Sequence, residues 1–152
     1  DPGVADISML LTSDLRRAAD TARIVGEILG LEPVPVPGLR EMDVGAWSGR
    51  PHAAIEECWP EEYARFRAGD DAVAPGGGES RQILRGRVLA ALGAAAPQEP
   101  CPGLSSIAVV THLGVLRSLR PGTVLGNAEY AWWTQPMAGD APTAASTDGG
   151  VL

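Results

Sequence analysis

Apolar runs and helical repeats alternate along this 152-residue chain. The run Ile7 to Thr12 is apolar and of strand length, and Ser13 and Asp14 behind it are residues that cap helices. Leu15, Ala18, Ala22, Val25 and Leu29 then recur at helical spacing up to Gly30, which stands where a left-handed turn ends a helix. Strand, cap and helix make half of a βαβ unit. Prolines hold Pro33-Val34-Pro35-Val36-Pro37 extended and restrict it to a short edge strand or a strap.

A glycine-punctuated loop covers residues 38–50, after which Pro51 suits the first turn of a helix holding Ala54, Ile55 and Cys58. A second short helix is expected from Pro60 to Arg67. The loop Ala74 to Ser80 leads into a longer helix with Leu84, Val88, Ala91, Leu92 and Ala95 on its apolar face. The most continuous apolar run starts at Ile107 and reaches Thr111-His112, which reads as a buried parallel strand delivering His112 to its carboxyl edge. Open α/β sheets keep their sites at that edge. Thr123-Val124-Leu125 and Glu129 to Trp133 read as further strands. The stretch from Thr134 onward has the composition of a flexible tail, with a turn at Asp148-Gly149-Gly150 and a final hairpin strand at Val151-Leu152.

Length and a 45% hydrophobic content fit a single domain over residues 1–152 with a sizeable core. No stretch approaches the roughly 20 apolar residues of a membrane span. A net charge of −7 argues against nucleic acid or an anionic membrane as partner, since neither would be held by counterion release. All 12 basic residues are arginine. The missing lysine removes P-loop, kinase-type and Schiff-base chemistry and leaves guanidinium, which grips carboxylate or phosphate with paired hydrogen bonds. Cys58 and Cys101 have neither zinc spacing nor a disulfide framework, so both read as reduced thiols, no metal or cofactor is expected, and a cytoplasmic location is the default.

Arg17 falls in the first turn of the first helix, beside the same sheet edge as His112. Arginine and histidine at a helix N-terminus suggest a bound phosphate. Glu41, in the glycine-rich loop, then suits protonation of a leaving alkoxide. Each residue also has a plainer reading: His112 as a core histidine, Arg17 as a solvated helix residue, Glu41 as the ion-pair partner of Arg40, and Gly76-Gly77-Gly78 as a turn rather than a phosphate nest. On these residues alone, an unrelated α/β binding module stays open.

Four linked motifs carry a family resemblance. Ser13-Asp14-Leu15-Arg16-Arg17-Ala18 with Thr21-Ala22, Leu39-Arg40-Glu41 with Gly45, Trp47 and Gly49, Pro75-Gly76-Gly77-Gly78-Glu79-Ser80, and Val110-Thr111-His112 resemble the histidine phosphatase superfamily in its phosphoglycerate-mutase-like branch. Asn127-Ala128-Glu129 is similar to the start of a late strand of that family. The resemblance implies a three-layer α/β/α sandwich with a mostly parallel sheet, and hydrolysis of a small phosphorylated metabolite through a phosphohistidine without a metal. It implies Arg17 as a phosphate-binding arginine, His112 as the histidine that stabilises the transferring group, and Glu41 as general acid. Leu113, through its backbone amide, and Glu79 would lie at the substrate, and inorganic phosphate would bind the same site. It leaves a homodimer open.

Two departures qualify the resemblance. The family's opening Arg-His-Gly, which supplies the nucleophilic histidine on a central strand, does not occur in the sequence. The chain therefore reads as N-terminally incomplete, with two neighbouring strands short of a ladder partner. Mutase-type transfer and a catalytically inactive phospho-ligand-binding relative are the alternatives. Leu113 also stands where the family has glycine, and leucine would be strained there if the position needed positive φ.

Overall fold

The computed structural model describes residues 7–96, 106–127, 129–132 and 149–151. Its centre is a parallel sheet in which β1 (Ile7–Thr12) runs between β2 (Pro33–Pro35) and β3 (Ser106–Val110). Thr12 stands opposite Pro35 on one side and Val110 on the other, so the carboxyl ends of the three strands are level. Side chains on a strand alternate faces. Leu11 accordingly joins Leu39, Leu84, Val88 and Val115 in the core beneath α4 (Arg81–Ala95) and α5 (Leu113–Leu119), while Leu10, equally buried, points to the opposite face under α1 (Arg16–Leu29). Helices on both faces give the three-layer arrangement that the resemblance implied.

The first helix departs from its predicted form in two respects. Ser13 and Asp14 do not cap it: α1 starts at Arg16, with Leu15 in the extended capping position and no side-chain bond. Ser13 is still tied to the sheet, its N–H donating to the Val110 carbonyl at 3.0 Å. Asp14 is gripped by both Nε and Nη2 of Arg40, which holds its carboxyl below the usual range. The face that docks is also finer than expected. Ala18, Ala22 and Gly26 are the buried positions, whereas Val25 and Leu29 are half-buried. Small residues at every fourth position let the helix backbone sit close to the chain that leads into β2.

Gly30 takes the left-handed conformation expected of it, and α3 (Pro60–Arg67) has its predicted bounds. In α2 (His52–Cys58) Pro51 occupies the capping position, one residue ahead of the first turn. The apolar run that begins in β3 does not stay a strand. It ends at Val110, passes through the extended residue His112 and becomes α5, an element that hydrophobicity alone did not mark because the run stays apolar across the junction.

Thr123-Val124-Leu125 is not a strand. Thr123 closes the turn after α5, its N–H and Oγ1 both donating to the Arg120 carbonyl while its own carbonyl accepts from Arg117 Nε, and Val124 is exposed. A separate antiparallel pair joins β4 (Glu129–Ala131) to β5 (Gly149–Val151). Gly149 and Gly150 therefore lie in the strand rather than in a turn, and Asp148, Leu152 and Trp133 fall outside the described residues. Among the described residues, the edge of β3 away from β1 has no ladder partner.

A Cβ on Gly26 would collide with the Leu31 carbonyl oxygen and press on the Pro33 ring at 3.2 Å. Alanine is the better helix former by about 1 kcal/mol. Overpacking against backbone costs about 1–3 kcal/mol and outweighs it. Gly26→Ala is thus expected to lower stability in urea melts, and a gain would mean that α1 does not approach β2 so closely.

Candidate active site

The level carboxyl ends of β1 and β3 bring Ser13 and His112 together. His112, 8% exposed, has its Nε2 2.9 Å from the hydroxyl of fully buried Ser13. Next to it, Thr111 Oγ1 donates to the Leu39 carbonyl at 2.9 Å and fastens the end of β3 to the loop that bears Glu41. Burial pushes His112 below the ordinary histidine range; the Glu41 carboxylate pulls it back up, and the Arg17 cation pushes it further down. The fields of both charged side chains therefore reach the same imidazole.

Arg17 and Arg16 are neighbours in different surroundings. Arg16 pairs with Asp20 at 3.5 Å on the exposed face of α1. Arg17 makes no side-chain hydrogen bond or ion pair among the described residues; it is exposed in the first turn of α1, near enough for its charge to act on His112. An uncommitted guanidinium beside a buried imidazole is disposed to take an anion.

Glu41 is half-buried. Its Oε1 accepts from the Met42 N–H at 2.8 Å and its Oε2 from the Gly114 N–H at 3.4 Å, in the first turn of α5. A Cβ at position 114 would run into Glu41 Oε1, so any larger residue there would displace the carboxylate. Leu113 is the first residue of α5, with ordinary helical backbone, so leucine there carries no left-handed strain.

Glu79 is engaged on the far side of this loop. Arg87, on α4, donates from Nε to Glu79 Oε1 at 2.9 Å and from Nη2 to Oε2 at 2.7 Å, which holds the Glu79 carboxyl below the usual range. Glu79 Oε2 also accepts from the Asp43 N–H at 3.2 Å. The remaining arm of Arg87, Nη1, donates to the carbonyls of Gly38 at 2.8 Å and Arg40 at 3.1 Å. One guanidinium thus clamps the segment just before Glu41 and the carboxylate that holds the segment just after it. Ser13 and Arg87 are the site-building side chains that the sequence reading did not find. Ser13's place directly behind β1, at the same edge as His112, was an available signal; nothing in the local pattern singles out Arg87 from its neighbour Arg85.

Gly76 and Gly77 adopt positive φ in a short 3-10 turn, Pro75–Gly77, that packs against the turn Gly45–Trp47. Trp47 is buried edge-on against Tyr63 and Phe66. His52 is exposed, with its Nδ1 3.3 Å from Tyr63 Oη. Among the described residues no group of three or more His, Cys, Asp or Glu side chains is arranged to hold a metal ion, and no helix is long and apolar enough to cross a membrane.

A parallel sheet sandwiched by helices, with a buried histidine just past a strand's carboxyl end, defines an α/β protein whose candidate site lies at the carboxyl edge of its sheet. The chain belongs to the histidine phosphatase superfamily (branch 1), which it matches over residues 3–144. It is 34% identical over 148 residues to glucosyl-3-phosphoglycerate phosphatase of Mycobacterium tuberculosis, covering 88% of this chain and 66% of that protein. It is 38% identical over 110 residues to the metal-independent phosphoserine phosphatase of Arabidopsis thaliana, covering 71% of this chain and 45% of that one. Among solved structures it resembles mycobacterial glucosyl-3-phosphoglycerate phosphatase in complex with inorganic phosphate, with a TM-score of 0.62 and 35% identity over 76% of this chain and 62% of that one. The chain thus spans about half to two-thirds of the length of these relatives.

Two measurements test the site as a piece of structure. Folding favours the neutral form of His112, so its contribution is complete above the usual histidine pKa of about 6.5 and is lost as pH falls through that value toward the lower folded one. Melts of the unaltered protein between pH 8 and 5 should show that loss, and His112→Gln should remove this component. Arg87→Met would remove the donor to two carbonyls and to Glu79 Oε1, and should destabilise by about 1–3 kcal/mol in urea titrations.

Proposed function

We propose that the protein bearing this chain is a phosphatase that hydrolyses small phosphorylated metabolites through a phosphohistidine. The observation that carries the reading is that β1 and β3 end level, which gathers at one sheet edge the buried His112, the uncommitted Arg17 in the first turn of α1 and the half-buried Glu41 bonded to the first turn of α5. Phosphoryl transfer needs positioned positive charge and a proton for the leaving oxygen more than it needs covalent help from many groups. In this reading Arg17 and His112 hold the equatorial oxygens of the phosphoryl group, the Leu113 amide adds a donor, and Glu41 protonates the departing alkoxide. Glu79 borders the substrate through the loop it fixes with Arg87. A further strand laid on the edge of β3 that is unpartnered among the described residues would supply the nucleophilic histidine, and residues 1–152 all belong to the one domain that this strand completes.

Relatives named for glucosyl-3-phosphoglycerate and phosphoserine support a phosphomonoester of a small, charged metabolite, and the phosphate complex of a structural relative supports inorganic phosphate as a ligand. The reaction needs no metal ion, and a cytoplasmic setting suits such a substrate. Hydrolysis is favoured over mutase transfer because α2 and α3, the short helices between Trp47 and Pro75, offer little material for enclosing a bisphosphate.

The test is turnover of phosphomonoesters by the full-length protein. Arg17→Ala and His112→Ala should each lower kcat/KM by about 10²–10³-fold, the usual effect of removing one transition-state donor. Glu41→Gln should impair alkyl phosphates far more than p-nitrophenyl phosphate, whose leaving group needs no proton. Phosphate binding without turnover would replace the enzyme by a phospho-ligand-binding protein, and absence of both would remove the reading.

A further inference from the structure

The buried pair at the end of the two strands decides which nitrogen of His112 carries the proton. Ser13 has two side-chain partners among the described residues: the Leu15 N–H at 3.2 Å and His112 Nε2 at 2.9 Å. A hydroxyl has one hydrogen to give and two sites at which to accept. The Leu15 amide can only donate, so it takes an accepting site. The hydroxyl hydrogen of Ser13 must then find an acceptor within a fully buried position. Ser13 Oγ has no further hydrogen-bond partner among the described residues, which leaves His112 Nε2 as the acceptor.

We propose that Ser13 is a positioning residue that holds His112 as the neutral tautomer with its hydrogen on Nδ1, and so makes Nδ1–H the group presented to phosphoryl oxygens. A neutral imidazole has one donor and one acceptor nitrogen, and the acceptor is consumed by Ser13. What remains is a donor, which is what an anion requires. Nδ1 has no hydrogen-bond partner among the described residues. The same arrangement resists protonation: with Nε2 charged and donating, Ser13 would turn to accept, and its own hydrogen would be left buried without a partner. Ser13 therefore acts in the same direction as burial and Arg17, against the pull of Glu41.

Only the identity of the ligand facing Nδ1 rests on the phosphatase reading; the tautomer does not. The experiment is two-bond 1H–15N correlation of the imidazole in the 15N-labelled full-length protein at pH 8, with His112 assigned by the loss of its signals in His112→Gln. The expected pattern is a protonated Nδ1 and an unprotonated Nε2, with the Nε2-protonated form appearing in Ser13→Ala. Ser13→Cys, nearly isosteric and a weaker donor, serves the same comparison if the alanine variant does not fold. Nε2–H in the unaltered protein, or an unchanged tautomer when Ser13 is replaced, overturns the proposal. Saturating inorganic phosphate should shift the Nδ1 resonance; no shift, with the Nδ1–H tautomer present, would overturn the phosphate reading and leave the tautomer assignment standing.

Discussion

The parallel ladder between β1 and β3 is the constraint on which the rest depends. It continues one residue past β1 through the Ser13 N–H to Val110 carbonyl bond, so the chain leaves both strands at the same level. Ser13 and His112, 99 positions apart in sequence, are thereby forced into a shared buried corner. A slip of one residue would turn every side chain of β3 to the other face. It would also carry Thr111 away from Leu39, and with it the fastening of the Glu41 loop.

Around that corner the elements have separate duties. The small face of α1 brings its first turn, and hence Arg17, close to the sheet's end. The amide of Gly114 orients Glu41 from α5, while Arg87 on α4 fixes the loop backbone from below. The charged groups thus arrive on rigid supports from three directions, and little of the geometry depends on the loop's own stiffness.

Much of this was legible in the chain. Strand β1, the left-handed Gly30, α3 and the helical face of Leu84 and Val88 follow from periodicity and from residues with a single local use. What periodicity did not show were events decided by tertiary contacts. Ser13 looks like a helix cap and is instead claimed by the sheet and by a distant histidine; α5 is hidden within an apolar run; Thr123 spends its polar groups on closing a turn. For the candidate site, His112, Arg17 and Glu41 were proposed from four motifs that restrict one another by their order. Arg87 could not be, since two of its bonds end on main-chain carbonyls 49 and 47 positions away, which no local pattern marks.

The manner in which Arg87 holds its loop separates two kinds of constraint, one on the path of the chain and one on its side chains. Two of its bonds end on main-chain carbonyls, at Gly38 and Arg40, and a carbonyl is the one acceptor that every residue type provides. The anchorage is therefore blind to most side-chain identities along the segment it secures. What can stand there is decided by packing instead: Leu39 lies in the core, a Cβ on Gly38 would run into Ala91, and Arg40 grips Asp14, so the guanidinium sets the path of the backbone and the neighbours set which residues can follow it.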